Sequence, residues 1–227
     1  MEEMKQRFED IFDQLGERFY VDSWISEQSK VIFVLESPHV EEVKHGAPVS
    51  GRSGVTMSKH LFGPEYNKPL GRLVIKNIEE RKNRPSLNVV GLMNICGIPM
   101  QRRAYGDRNV TETYREFFDV LEGVRQGNQK DVYPNEKWNA MQEVILRRFR
   151  ERLAKQQGKA CALVPCGRFA QKFFRLANMQ SESWRVIEGV PHPSYNSWDR
   201  ERYSPAVREV QKTFIQAKNE AAGGSQE

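Results

Sequence analysis

The chain has 227 residues, of which 38% are hydrophobic and 29% charged, with a formal net charge of +5. That balance suits one soluble domain with a real core, and the moderate basic excess permits a nucleic-acid partner without requiring one. Three cysteines (Cys96, Cys161 and Cys166) without a CxxC pair argue against a disulfide scaffold or a zinc site, and no apolar run approaches the roughly 18 residues of a membrane span.

The first residues, MEEMKQRFEDIF, are acidic and amphipathic and lack the charged-then-apolar order of a secretion signal. A cytoplasmic protein without a membrane partner is the resulting expectation. Residues 1–19 read as a helix, with Met4, Phe8, Ile11, Phe12 and Leu15 on one face. Residues 30–35 are a short β-branched run and predict a buried strand, followed by a polar loop to Gly54. Helices are predicted over 55–62 and 70–81, and a second buried strand over 87–93, LNVVGLM. Residues 112–124 and 136–157 have helical spacing, 160–164 a third strand, 168–176 a helix and 184–187 a short fourth strand. A helix over 204–218 closes a single domain of residues 1–220, and residues 221–227, AAGGSQE, read as a disordered tail.

Strands alternating with helices predict an α/β domain: a central, mostly parallel four-stranded sheet covered on both faces in three α/β/α layers. Ligands of such sheets bind beyond the C-terminal strand ends. All four strands here end in polar, turn-rich segments: Glu36-Ser37-Pro38-His39, Asn94-Ile95-Cys96-Gly97, Pro165-Cys166-Gly167-Arg168, and Gly189-Val190-Pro191-His192-Pro193-Ser194. These segments gather at one rim. GRSGVTMSK lacks the spacing of a P-loop, no GxGxxG follows a strand, and no serine sits in a GxSxG elbow. Glu36, His39, Glu42 and His45 offer metal-ligating atoms, but no second ligand cluster accompanies them; solvated loop charges are the alternative.

The set of strand ends resembles the uracil-DNA glycosylase superfamily. Its thermophile-type branch carries GEAPG, a glutamate, then GxPFVGxAG. Here Glu36-Ser37-Pro38-His39 is followed by Glu42 and by Gly46-Ala47-Pro48-Val49-Ser50-Gly51-Arg52-Ser53-Gly54, without a gap. Asn94 matches the asparagine ending the next core strand, the CGRFA turn resembles the glycine and helix after the third, and His192-Pro193-Ser194 matches the final HPS motif. The likeness covers roughly residues 30–215. Four departures stand out. Ser37 occupies the place of the catalytic aspartate of the GQDPYH branch. His39 takes that branch's tyrosine position, and Val49 that of the phenylalanine that stacks on the flipped base in the thermophile-type branch. The cysteines have the wrong number and spacing for that branch's iron–sulfur cluster and read as buried apolar residues, so no cofactor and no metal are expected.

The resemblance implies a monomeric, monofunctional DNA glycosylase acting on uracil or a modified pyrimidine in single- or double-stranded DNA. The target base must be flipped into a pocket. His192 is the candidate donor to the departing base anion and Asn94 the reader of the pyrimidine edge. Glu42, or alternatively Glu36, positions or deprotonates water. Ser37, Pro38, His39 and Val49 shape the base pocket. Gly51, Ser53 and Gly54 would admit a phosphate, with Arg168 adding charge. Ser194, Tyr195, Asn196 and Ser197 extend the loop that in the family enters the minor groove. Tyr195 and Trp198 are open to a core reading. Arg102, Arg103, Lys172 and Arg200 make a basic rim. With no aromatic at position 49 the pocket admits pyrimidines larger than uracil, unless Phe62 or Tyr105 fills the gap. One alternative is phage defence by excision of bulky modified cytosines, such as glucosylated ones. Another is a non-catalytic DNA- or nucleotide-binding module on the same fold.

Overall fold

The computed structural model describes residues 1–223. Among them, four strands form one parallel sheet: β1 (Val31–Leu35), β2 (Val90–Asn94), β3 (Cys161–Pro165) and β4 (Trp184–Val186), in the order β2-β1-β3-β4. Val31 lies opposite Val90 on one side and Ala162 on the other, so β1 is the sheet's inner axis. The first three strands are buried along their whole length, as apolar runs covered on both faces must be. At the outer edge of β2 an antiparallel bridge from Trp24 pairs the N–H and C=O of Leu92.

Helices cover both faces. Ile32 and Val34 pack into a core with α1 (Glu2–Phe19), α7 (Arg115–Gln126), α8 (Glu136–Ala154) and α9 (Gly167–Ala177). Val31, Phe33 and Leu35 point the other way, into a core with α3 (Arg52–Phe62), α4 (Leu70–Glu79) and α10 (Ser204–Gly223). This division follows from the two-residue period of β1. Cys96, Cys161 and Cys166 are buried and free, as the apolar reading expects.

Several boundaries differ from the sequence reading. The segment after β1 is not all loop. It contains α2 (Val40–His45), and α3 begins at Arg52 rather than at Val55. The run expected as a strand over 87–93 starts with one helical turn, α5 (Pro85–Asn88), which Pro85 initiates; the strand begins at Val90. The helix expected over 112–124 is two, α6 (Arg108–Thr113) and α7, broken at Tyr114, whose backbone (φ −107°, ψ 32°) is not helical. The tail expected over 221–227 is helical to Gly223, and the rest lies outside the described residues. No helix among the described residues is long and apolar enough to cross a membrane.

The strand order places a switch point. Chain connections leave β1 toward β2 and leave β3 toward β4, so a crevice opens outside the C-terminal ends of β1 and β3.

Candidate functional site

A cavity of about 520 Å³ occupies that crevice. Glu36, Ser37, Pro38 and His39 line it from the end of β1, Asn94 from the end of β2, and His192, Ser194 and Tyr195 from the segment after β4. Glu42, Val49, Gly51 and Ser53 complete the set that the sequence placed here.

Asn94 is the most informative residue. It is 1% exposed, and neither its Oδ1 nor its Nδ2 has a hydrogen-bond partner. Leaving a buried amide unpaired costs about 1–3 kcal/mol per group. Its backbone, by contrast, is held on both sides. Leu35 O accepts from the Ile95 N–H at 2.8 Å, and Arg152 of α8 donates to Asn94 O at 2.7 Å and to Ile95 O. The amide is therefore aimed by its scaffold and left without a partner from the protein, so it is poised for a ligand's donor and acceptor pair.

His192 is held differently. Its Nδ1 accepts the Ser194 backbone N–H at 3.3 Å and lies 2.9 Å from Ser194 Oγ. An accepting Nδ1 carries no proton, so the proton of the neutral ring sits on Nε2, a donor. Burial pushes the pKa of His192 below its ordinary value; Glu36 opposes that shift and Arg125 adds to it. The ring is thus neutral at physiological pH. Gly167 (φ 87°) makes room for it: a Cβ there would fall 2.7 Å from the His192 Cβ.

Glu42 sits at the third position of α2. One carboxylate oxygen accepts the His39 N–H at 2.7 Å and the other the Val49 N–H. Burial outweighs these two bonds and, with Glu36 nearby, raises its pKa to about 7. Each oxygen keeps a further lone pair, so Glu42 can both organise the loop and accept from water. Glu36 is paired instead with Arg125 of α7 at 2.5 Å. His39 is held below its ordinary pKa, first by burial and then by Arg103 and Arg125, against the opposing charge of Glu41.

Val49 has φ 51°, a left-handed conformation that β-branched residues avoid. It is 3% exposed and packs into the core, so its side chain offers no stacking face to the cavity. Phe62 packs against Tyr66 and Phe214, and Tyr105 against Phe19 and Phe118; neither lines the cavity.

Four of the sequence's candidates lie elsewhere. Gly54 is buried beneath the loop, where an added Cβ would meet Val49 O at 1.7 Å; close packing, not phosphate access, demands the glycine. Arg168 lines a neighbouring groove. Asn196 and Ser197 are outside the lining; Ser197 Oγ closes its own turn on Ser194 O at 2.7 Å. Trp198 is a core residue that donates to Pro191 O. Of the basic rim, Arg103 reaches the cavity, Arg102 is paired with Asp119 and Glu122, Lys172 is buried, and Arg200 donates to Tyr195 O.

The sequence missed Glu41, Arg52, Gln101 and Arg125, all of which line the cavity. Gln101 lies seven residues beyond β2, in a segment that could have been searched for polar side chains; Arg125, at the far end of a helix, left no signal. Residues 51–53 open α3 with no side-chain cap, so the first free N–H groups of an 11-residue helix meet the cavity. That end carries partial positive charge and suits an anion. Among the described residues, no three His, Cys, Asp or Glu side chains are grouped to hold a metal ion. Compared with known proteins, the chain matches no family model and no curated sequence.

Proposed function

We propose that the chain is a monofunctional DNA glycosylase on a three-layer α/β/α scaffold of the uracil-DNA glycosylase type, removing a non-standard pyrimidine and leaving an abasic site. The observation that carries this reading is the Asn94 amide, buried, backbone-locked and without a partner at the switch point of a parallel sheet. A flipped pyrimidine supplies the donor and acceptor it lacks. The His192 Nε2–H then faces a base whose exocyclic carbonyl oxygen gains charge as the C1′–N bond breaks; a neutral donor in a buried site stabilises that anion. Glu42 takes the proton of the water that adds to C1′. Ser37 stands where an aspartate would, which leaves Glu42, Glu36 and Glu41 as the carboxylates lining the cavity, and of these Glu41 is paired with Arg72 and Glu36 with Arg125. Backbone N–H groups at residues 52–53 donate to a flanking phosphate, and Tyr195, 87% exposed beside the cavity, fills the gap left in the stack. The reaction needs water and no cofactor, and a monomer suffices.

A larger base than uracil is favoured by one feature. The lining holds one aromatic residue other than histidine, Tyr195, so apart from the smaller imidazoles of His39 and His192 no ring stands against a substituent at carbon 5. Removal of bulky modified cytosines, as a defence against phage DNA, follows from this reading.

The test is excision from oligonucleotides carrying uracil or 5-substituted and glucosylated pyrimidines, followed by alkali. Strand breaks at the target base support a glycosylase. Asn94→Ala should lower the rate about 100-fold or more, and His192→Ala likewise. Binding without alkali-labile sites would replace the enzyme by a binding module, and unimpaired variants would remove these residues from the site.

A further inference from the structure

A second cavity, of about 650 Å³, lies one wall away from the first. The two share their partitions. At the end of α7, Arg125 lines the first cavity and Asn128 and Gln129 the second, and the Asn128 Nδ2 donates to Arg125 O at 3.2 Å. At the start of α9, Gly167 packs against His192 while the next residue, Arg168, lines the second cavity.

The lining of this groove carries three cations, Arg168, Lys172 and Arg175, and one carboxylate, Glu188. Lys172 is 4% exposed. Its Nζ donates to Tyr133 Oη at 2.6 Å and lies 4.5 Å from the Tyr133 ring and 5.2 Å from that of Phe173. The phenol spends its own proton on Val124 O, so it meets the lysine as an acceptor. No carboxylate among the described residues pairs with Lys172, and the nearby Asp131 gives both oxygens to Arg175, at 2.9 and 2.7 Å. A buried ammonium with one acceptor and no counter-charge is costly. Its pKa falls to about 8, through burial first. Arg168, exposed on the same helix, makes no ion pair among the described residues. Phe174 and Met179 give the groove an apolar surface.

We propose that this groove holds the single-stranded segment flanking the flipped nucleotide, with phosphates on Lys172 and Arg168 and an unstacked base against Phe174 and Met179. The assignment rests on the proposed function. Cations beside an apolar or aromatic surface suit unpaired nucleic acid, and a phosphate supplies the missing counter-charge.

The experiment measures fluorescence anisotropy of the full chain with single-stranded oligonucleotides carrying a central target base, either full length or trimmed on the 5′ or the 3′ side. Trimming one side should weaken binding roughly tenfold more than trimming the other. Lys172→Met and Arg168→Gln should each weaken the full-length complex and flatten its log–log salt dependence by about 0.7, and should shrink the difference between full-length and trimmed strands. If Lys172→Met fails to fold, Arg168→Gln decides. Equal effects of the two trims, or wild-type affinity and salt slope in Arg168→Gln and in folded Lys172→Met, overturn the groove while leaving the glycosylase reading intact. A wild-type chain that binds no oligonucleotide overturns both.

Discussion

Two segments border the cavity, and each holds non-glycine residues in left-handed backbone, yet they are built in opposite ways. In the first, Val49 (φ 51°) is 3% exposed; Glu42 accepts its N–H, the Gly71 N–H donates to its carbonyl, and Gly54 passes directly beneath. In the second, Tyr195 (φ 54°) and Asn196 (φ 51°) form the tip of a turn, and Tyr195 is 87% exposed. The feet of that turn are fixed by Trp198 and Ser197, while the tip is met by Arg200, which donates to Tyr195 O at 3.2 Å. Left-handed backbone of this kind costs about 1–3 kcal/mol per residue. Where packing overdetermines it, it shapes a wall. Where a large ring is presented to solvent instead, packing does not explain it, and the proposed function assigns it to contact with DNA.

The contrast can be broken most forcefully at Gly54. A methyl group there collides with backbone at 1.7 Å, so Gly54→Ala should cost about 3 kcal/mol or more, seen as a fall in Tm of about 10 °C. An unshifted Tm would mean that the wall is not packed as described.

Glu42 sharpens the same point through pH. Its carboxyl binds a proton more tightly folded (about 7) than at its ordinary 4.5, so between those values the folded chain holds more protons than the unfolded one. The stability this contributes is full below about pH 4.5 and lost as pH rises through 7, about 3 kcal/mol in all. Urea unfolding of wild type and Glu42→Gln from pH 4.5 to 8 isolates it as a difference. A difference that does not change with pH would place the carboxyl outside the wall.

The smallest effect on stability belongs to Tyr195. Tyr195→Ala should leave the unfolding free energy within about 0.5 kcal/mol but weaken DNA binding roughly tenfold, read by thermal melts and anisotropy on one preparation. A destabilised variant with unchanged binding would make the exposed ring structural and erase the contrast between the segments.

The strands were readable because β1, β2 and β3 are continuous apolar runs that burial on both faces requires. The strand-end rule points to Glu36, Asn94 and His192, and all three line the cavity. Helix α2 stayed hidden because its six residues, VEEVKH, are too few and too charged for a period to emerge. Arg125 was invisible for another reason. It reaches Glu36 across 89 positions of chain, a contact that no local pattern encodes. The role of Gly54 was misread because a glycine's need for space looks alike from the sequence whether a phosphate or a carbonyl is the neighbour.

The position of β1 has a consequence for how the chain comes to be folded. It precedes the three other strands of the sheet and pairs with two of them, yet Val31 and Phe33 are enclosed on one face by Val207, Val210 and Phe214 of α10 and flanked at one edge by β3. The face of the central strand is therefore closed only by a helix far along the chain. Pairings that distant carry a large loop-closure entropy and place the domain among slow folders. An intermediate in which α10 has not yet docked leaves the Val31 and Phe33 face incompletely covered, which makes it the state in which the protein most needs a chaperone.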